Sequence, residues 1–182
     1  MKKAFFKTSF LVCLSISLFY PLANASDLTL NNTPTQVYFS PRGGCTQAII
    51  KEIDNAKSEI LVQAYSFTSA TIAKALTDAF KRGIKVQAIL DKSQRSEKYT
   101  SATFLFNAGI PTYIDDKHAI AHNKVMIIDR ETVITGSFNF TKAAEEKNAE
   151  NLLIIRNKEL AKIYIENWYK HREHSELHEK QF

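Results

Sequence analysis

The residues of this chain best suited to chemistry lie between positions 122 and 139. His122-Asn123-Lys124 is followed by Asp129 and then by Gly136-Ser137-Phe138-Asn139, a pattern H-x-K-x4-D-x6-G-S-x-N that occurs once in 182 residues. Side chains two apart on a strand share a face. His122 and Lys124 can therefore project together, and Ser137 and Asn139 can do the same from the end of a following strand. An imidazole, an ammonium, a hydroxyl and an amide meeting at one point form a site for an oxyanion. An imidazole beside a bound phosphate can also be its nucleophile. Taken singly, His122 reads as a core histidine and Lys124 as a solvated strand lysine; G-S-x-N at its offset makes those readings untenable. His118, four residues before His122, reads as a bystander.

Two acidic residues accompany the set. Glu150 lies 11 residues beyond Asn139 and opens the apolar run ENLLII, where a carboxylate is costly unless paired. Asp129 is five residues past Lys124, on the opposite strand face if the strand is unbroken. By geometry it is structural, pairing with a buried cation or capping a turn at Arg130-Glu131.

This pattern resembles the HKD motif of the phospholipase D superfamily. With a single motif, a short chain and the leader described below, the sequence is most similar to the small EDTA-resistant periplasmic and plasmid-borne endonucleases of that superfamily. The resemblance runs from Val37 to Trp168. It implies a phospholipase D-like fold in which His122, Lys124 and Glu150 are catalytic. Glu150 would hydrogen-bond the His122 imidazole at Nδ1 and leave Nε2 free to attack. Lys124, Ser137 and Asn139 would hold the substrate phosphate, with Asp129 and Gly136 in support. Phosphodiester cleavage requires a barrier reduction of roughly 8–23 kcal/mol or more. One acid–base group supplies only about 10²–10⁴-fold, and one oxyanion contact about 2.7–4 kcal/mol. Superfamily members with two motifs bring both histidines to one phosphate. A single motif therefore implies a symmetric homodimer, with two copies of His122 meeting across a two-fold axis.

The surrounding periodicity supplies elements to position these groups. Gln36–Ser40 reads as a strand, Cys45–Ala56 as an amphipathic helix, and Glu59–Ser66 as a buried strand. Ser69–Arg82 is a helix stopped by Gly83, Lys85–Asp91 a strand, and Tyr99–Ala108 a helix stopped by Gly109. Pro111–Ile114 precedes the motif strands, which are Val125–Asp129 and Thr132–Thr135 joined by a tight turn; Glu150–Ile155 is a further strand and Leu160–His171 a helix. This order predicts an α/β fold, a mixed β-sheet flanked by helices on both faces, in one domain over residues 36–182.

The N-terminus has the form of a secretory signal peptide over residues 1–25. Lys2, Lys3 and Lys7 precede an apolar stretch from Ser9 to Tyr20, and Ala23-Asn24-Ala25 offers a cleavage site before Ser26. About 12 apolar residues are too few to span a bilayer, and Cys13 lacks the small residues that precede a lipidated cysteine. The expectation is a periplasmic or secreted protein without stable membrane insertion, in which residues 26–35 form a polar arm. Loss of the leader leaves 21 basic and 19 acidic residues, a net charge of +2 rather than +5. Cys45 is then the one cysteine left, so no intrachain disulfide can form, and it reads as an idle thiol.

No cofactor and no metal are expected. His171, His174 and His178, with Glu173 and Glu176, could bind Zn²⁺ or Ni²⁺ adventitiously, but their spacing reads as a solvated helix end. The polar segment Asp91–Tyr99 carries three cations and an aromatic at a strand end, which suits a polynucleotide backbone. The sequence thus reads as a metal-independent phosphodiesterase cleaving DNA non-specifically, with RNA as a further substrate, through a phosphohistidine. A phospholipase D acting on lipid head groups is the alternative; Phe104-Leu105-Phe106 is the one candidate apolar entry, and its helical context assigns it to the core. A catalytically silent nucleic-acid-binding module would predict a degraded motif, and all six positions are intact.

Overall fold

The computed structural model describes residues 25–95 and 100–178. The expected leader apart from Ala25, and residues 96–99 of the cationic segment, lie outside the described residues. Eight strands form one sheet: β1 (Thr35–Ser40), β2 (Glu59–Ala64), β3 (Lys85–Asp91), β4 (Thr112–Asp115), β5 (Lys124–Ile128), β6 (Thr132–Gly136), β7 (Glu150–Arg156) and β8 (Glu176–Leu177). Their order is β1-β7-β6-β5-β2-β3-β4-β8. Only β2–β3 and β3–β4 run parallel; the other neighbours are antiparallel. The helices are α1 (Cys45–Asn55), α2 (Ala70–Lys81), α3 (Ser101–Asn107), α4 (Lys142–Glu146) and α5 (Lys158–His174).

Side-chain alternation along the central strands explains why both faces are covered. Ile60 and Val62 of β2, with Met126 and Ile128 of β5, face a core that also holds Ile49, Ile53, Ile72, Leu76 and Leu105. The intervening Leu61, Val125 and Ile127 face α5 through Ala161, Ile165 and Trp168. Strands apolar on both faces must be sandwiched, and the expected mixed sheet with helices on both faces is the fold observed. Trp168 is fully buried and its indole Nε1–H donates to the Val62 carbonyl at 2.9 Å, satisfying the one polar atom it carries.

Helix starts follow the cap residues. Ser69 Oγ accepts from Ile72 N at 3.4 Å and Asn157 Oδ1 from Leu160 N at 2.8 Å. Helix α1 begins at Gly44, with φ 81°, and its first amides are served from a distance: Glu145 of α4 accepts from Gly44 N at 3.1 Å and Thr46 N at 2.8 Å. The short elements α4 and β8 are ones the periodicity does not reveal. Five and two residues are too few to display a period. The tight turn after β5 also sits one residue earlier than expected, on Asp129 (φ 53°) and Arg130 (φ 60°). Both occupy the left-handed region, and Glu131 N donates to the Ile128 carbonyl at 3.1 Å to close the turn.

Sheet topology gathers the strand ends. The C-terminal ends of β1, β2, β3, β4 and β6 lie at the same edge as the N-terminal ends of β5 and β7. Lys124 pairs with Ala64, Asp91 with Asp115, and Ser40 with Glu150 along that edge.

Candidate active site

Lys124 opens β5 and is 7% exposed, while His122, two residues earlier, stands in solvent. The Lys124 ammonium donates to the His122 carbonyl at 2.9 Å. It lies 5.0 Å from the centre of the Tyr65 ring, and the His122 ring packs on the same tyrosine with centroids 4.6 Å apart. Tyr65 N donates to Asn123 O at 2.8 Å, which ties the end of β2 to the His-x-Lys segment. Burial pushes the Lys124 ammonium below its usual range, and the negative charge of Glu150 opposes that shift. A cation on the buried side and an imidazole on the open side are the parts an anionic substrate needs.

Ser137 and Asn139 follow β6. The Ser137 hydroxyl accepts from Asn151 N at 3.0 Å and from Asn151 Nδ2 at 3.4 Å, leaving its own proton free to donate. Gly136 makes this approach possible: its φ is 147°, and a Cβ there would fall 2.3 Å from the Asn151 carbonyl oxygen. Asn139 has its amide oxygen buried with no hydrogen-bond partner, a cost of about 1–3 kcal/mol that an arriving donor would relieve.

Glu150 is placed differently from the expectation. It starts β7, half-buried, and accepts from Asn148 Nδ2 at 3.3 Å; it makes no hydrogen bond to His122 within the chain. The reason is strand order. β6 stands between β5 and β7, so Glu150 is two strand spacings, roughly 9–10 Å, from the start of β5. Its charge reaches Lys124 instead.

Asp129 sits at the opposite end of β5 from Lys124 and takes no part in the site. It is structural, though neither on a buried cation nor as a cap of its own turn. Its carboxylate accepts from Lys57 N (2.8 Å), Ser58 N (2.7 Å), Ser58 Oγ (2.8 Å) and Glu59 N (3.1 Å), fixing the loop that feeds β2. Burial would raise its pKa, but these donors prevail and hold it below the ordinary carboxylate value. Cys45 is fully buried, out of reach of a substrate, and its thiol is pushed up to about 11 by burial and by Glu145 and Glu150.

Two residues outside the motif also belong to the site. Tyr65 is the platform for both His122 and Lys124. Asp91, almost fully buried at the end of β3, accepts from Ala121 N at 2.7 Å and so fixes the residue before His122. An acid closing a buried strand is the signal that could have singled Asp91 out. Tyr65 needs the β2–β5 pairing, which the sequence does not display.

The cationic loop is more committed than expected. Residues Lys92–Arg95 form a 3₁₀ turn, where Lys92 Nζ donates to His118 O at 3.0 Å and Arg95 pairs with Glu176 at 2.7 Å. Phe104 is exposed rather than in the core, while Leu105 is buried. The histidines of α5 do not form a solvated helix end. His171 and His174 turn toward Asp115 and meet His118, so His118 is no bystander, and the four side chains form a group that could hold a metal ion. His178 packs instead on Phe106. Burial would raise the Asp115 pKa, but the hydrogen bonds from His171 and His118 hold it at about 2.

Comparison with known proteins points the same way as the geometry. Residues 49–172 match the family described as cardiolipin synthase, PLD-like domain. Over 145 residues the chain is 47% identical to a phospholipase D of Rickettsia felis, covering 80% of this chain and 72% of that one. Among solved structures it is similar to Nuc, a phospholipase D family member from Salmonella typhimurium, with a TM-score of 0.78 and 39% identity over 81% of this chain and 99% of that one. NucT from Helicobacter pylori gives a TM-score of 0.75 at 27% identity, over 80% and 99% of the two chains.

Proposed function

Because the chain belongs to the phospholipase D-like domain family and is a phosphodiesterase of that superfamily, we propose that it is a metal-independent endonuclease that cleaves DNA, and RNA as well, through a phosphohistidine. The observation that carries this reading is the exposed His122 standing beside the buried Lys124 on the Tyr65 ring. The groups around it at the sheet edge are polar: Ser137, Asn139, Asn148 and Glu150. An open polar edge suits a long polyanion that must pass through rather than enter.

The steps follow from one imidazole per chain. The Nε2 lone pair of His122 forms a bond to phosphorus while the phosphorus–oxygen bond to the leaving group breaks. The departing oxygen takes the proton of the imidazolium in the second copy's His122. Water then attacks phosphorus, its proton passes to that now neutral imidazole, and the phosphorus–nitrogen bond returns its pair to Nε2. Lys124 and the Ser137 hydroxyl stabilise the charge on the equatorial oxygens. For the second copy the proposed docking surface is the edge strand β1. Val37 and Phe39 of edge strand β1 are exposed, Phe39 at 66%, and Phe39 is in register with Asn151, the partner of Ser137.

A lipid reading has its own support. Ile120, 59% exposed, lies two residues before His122, and Phe104 is exposed as well. One assay separates the readings: plasmid DNA, RNA and phosphatidylcholine vesicles offered side by side with EDTA in excess, to wild type and His122→Ala. The endonuclease reading expects DNA cut by wild type only, with rates falling as salt screens phosphate contacts. Rapid vesicle hydrolysis with intact DNA would reverse the assignment. Activity lost in EDTA and restored by Mg²⁺ would reject the metal-free step. For the location, we propose export to the periplasm; a mature protein starting at Ser26 by mass spectrometry is the expected result.

A further inference from the structure

Asp115 ends β4 with its side chain fully buried, and three imidazoles converge on it. His118 Nδ1 is 3.0 Å from both carboxylate oxygens, and His171 Nδ1 is 2.8 Å from Oδ2. His174 Nε2 is 3.4 Å from the same Oδ2, yet is not aligned to bond it and remains a buried nitrogen without a partner. The ligand atoms of the four residues lie within 4.8 Å of one another. A buried carboxylate is already served by two donors. A third ring that brings an unsatisfied nitrogen to the same oxygen is explained by something that would bind all four groups at once.

We propose that Asp115, His118, His171 and His174 form a Zn²⁺ site, separate from the active site. Zinc takes imidazole nitrogen and carboxylate oxygen at about 2.0–2.2 Å in a tetrahedron, whose edges are then roughly 3.3 Å. The distances of 2.8, 3.0 and 3.4 Å from the three nitrogens to Asp115 straddle that value. Three imidazoles select a transition metal over Mg²⁺ or Ca²⁺, which seek oxygen. His171 and His174 are three apart on α5 and so share a face. Four protein ligands complete the tetrahedron and leave no open position, which makes the site structural. The ion would clasp the segment carrying His118, three residues from the Asp91-anchored Ala121, to the end of α5.

The test uses the full chain without a histidine tag, stripped by chelator, dialysed and titrated with ZnCl₂. The expected result is one Zn²⁺ per chain by calorimetry and elemental analysis, a higher Tm with zinc, and intense visible absorption of four-coordinate Co²⁺ when cobalt replaces it. His118 is exposed, so His118→Ala should fold normally and lower zinc affinity by at least about 100-fold, as should His174→Gln. His122→Ala should bind zinc as wild type does, which separates this site from the catalytic one. Substoichiometric zinc after dialysis, an unmoved Tm, or undiminished uptake in the His118→Ala/His174→Gln double variant would reduce the cluster to a hydrogen-bonded network only.

Discussion

Lys124 is asked to be both buried and charged. Burial lowers its pKa, so the cation is lost at a lower pH than for an ordinary lysine, and Glu150 partly restores it. If the charged form holds the phosphate, the alkaline limb of kcat/KM reports its deprotonation. Glu150→Gln removes the opposing charge and should move that limb to lower pH, with the fold intact by circular dichroism. A limb that stays in place would separate Glu150 from Lys124. His122→Ala should lower cleavage by about 10⁴-fold or more while leaving Tm close to wild type, since its ring is on the surface. Wild-type turnover in that variant would remove the nucleophile. These residues were readable in advance because two-residue spacing on a strand is a local property. The groups that support them were not: Tyr65 lies 57 positions before His122, and Asp91, which holds Ala121, lies 30 positions before that residue. The bond expected between Glu150 and His122 is not made within the chain, because β6 stands between the strands that carry them.

Among the elements, the β5–β6 hairpin and the loop into β2 depend on Asp129, which receives four hydrogen bonds. Asp129→Ala should cost about 2–4 kcal/mol in urea unfolding, because backbone donors are left unpaired. Cleavage measured well below the melting range should be unchanged. The sign with pH follows from a depressed folded pKa. The contribution is complete above the unfolded carboxylate value of about 3.9 and fades as pH falls from there through the folded one. The gap between wild type and Asp129→Ala should therefore narrow on acidification below about pH 4. Gly136→Ala should be harsher, since its Cβ meets the Asn151 carbonyl and its backbone lies where L-residues are strained. Overpacking of about 1–3 kcal/mol, with loss of the Ser137–Asn151 contacts, would show as lower Tm and weakened substrate binding together. The long strands and helices were legible because they carry a period. The pair α4 and β8 were not, and Glu145 of α4 proved to be what caps α1.

At the scale of the molecule, one HKD motif per chain requires a second copy for the proposed acid. The exposed Val37 and Phe39 are the surface proposed for it. Phe39→Asp should shift the protein to monomer in sedimentation and lower turnover at dilute concentration; a monomer with full activity would defeat the shared site. Fold class was legible from strand–helix alternation, but strand order was not, because pattern says which face is buried and not which neighbour lies alongside. That order has a consequence in time. The first strand is held by the seventh, Thr35 opposite Ile155, so 120 residues must be synthesised between the two halves of one ladder. At about 5–20 residues per second, a ribosome needs roughly 6–24 s to deliver the partner. Throughout that interval the nascent chain carries Val37 and Phe39 on a strand with nothing to pair with, which makes it a natural client for any holdase that meets it before synthesis ends.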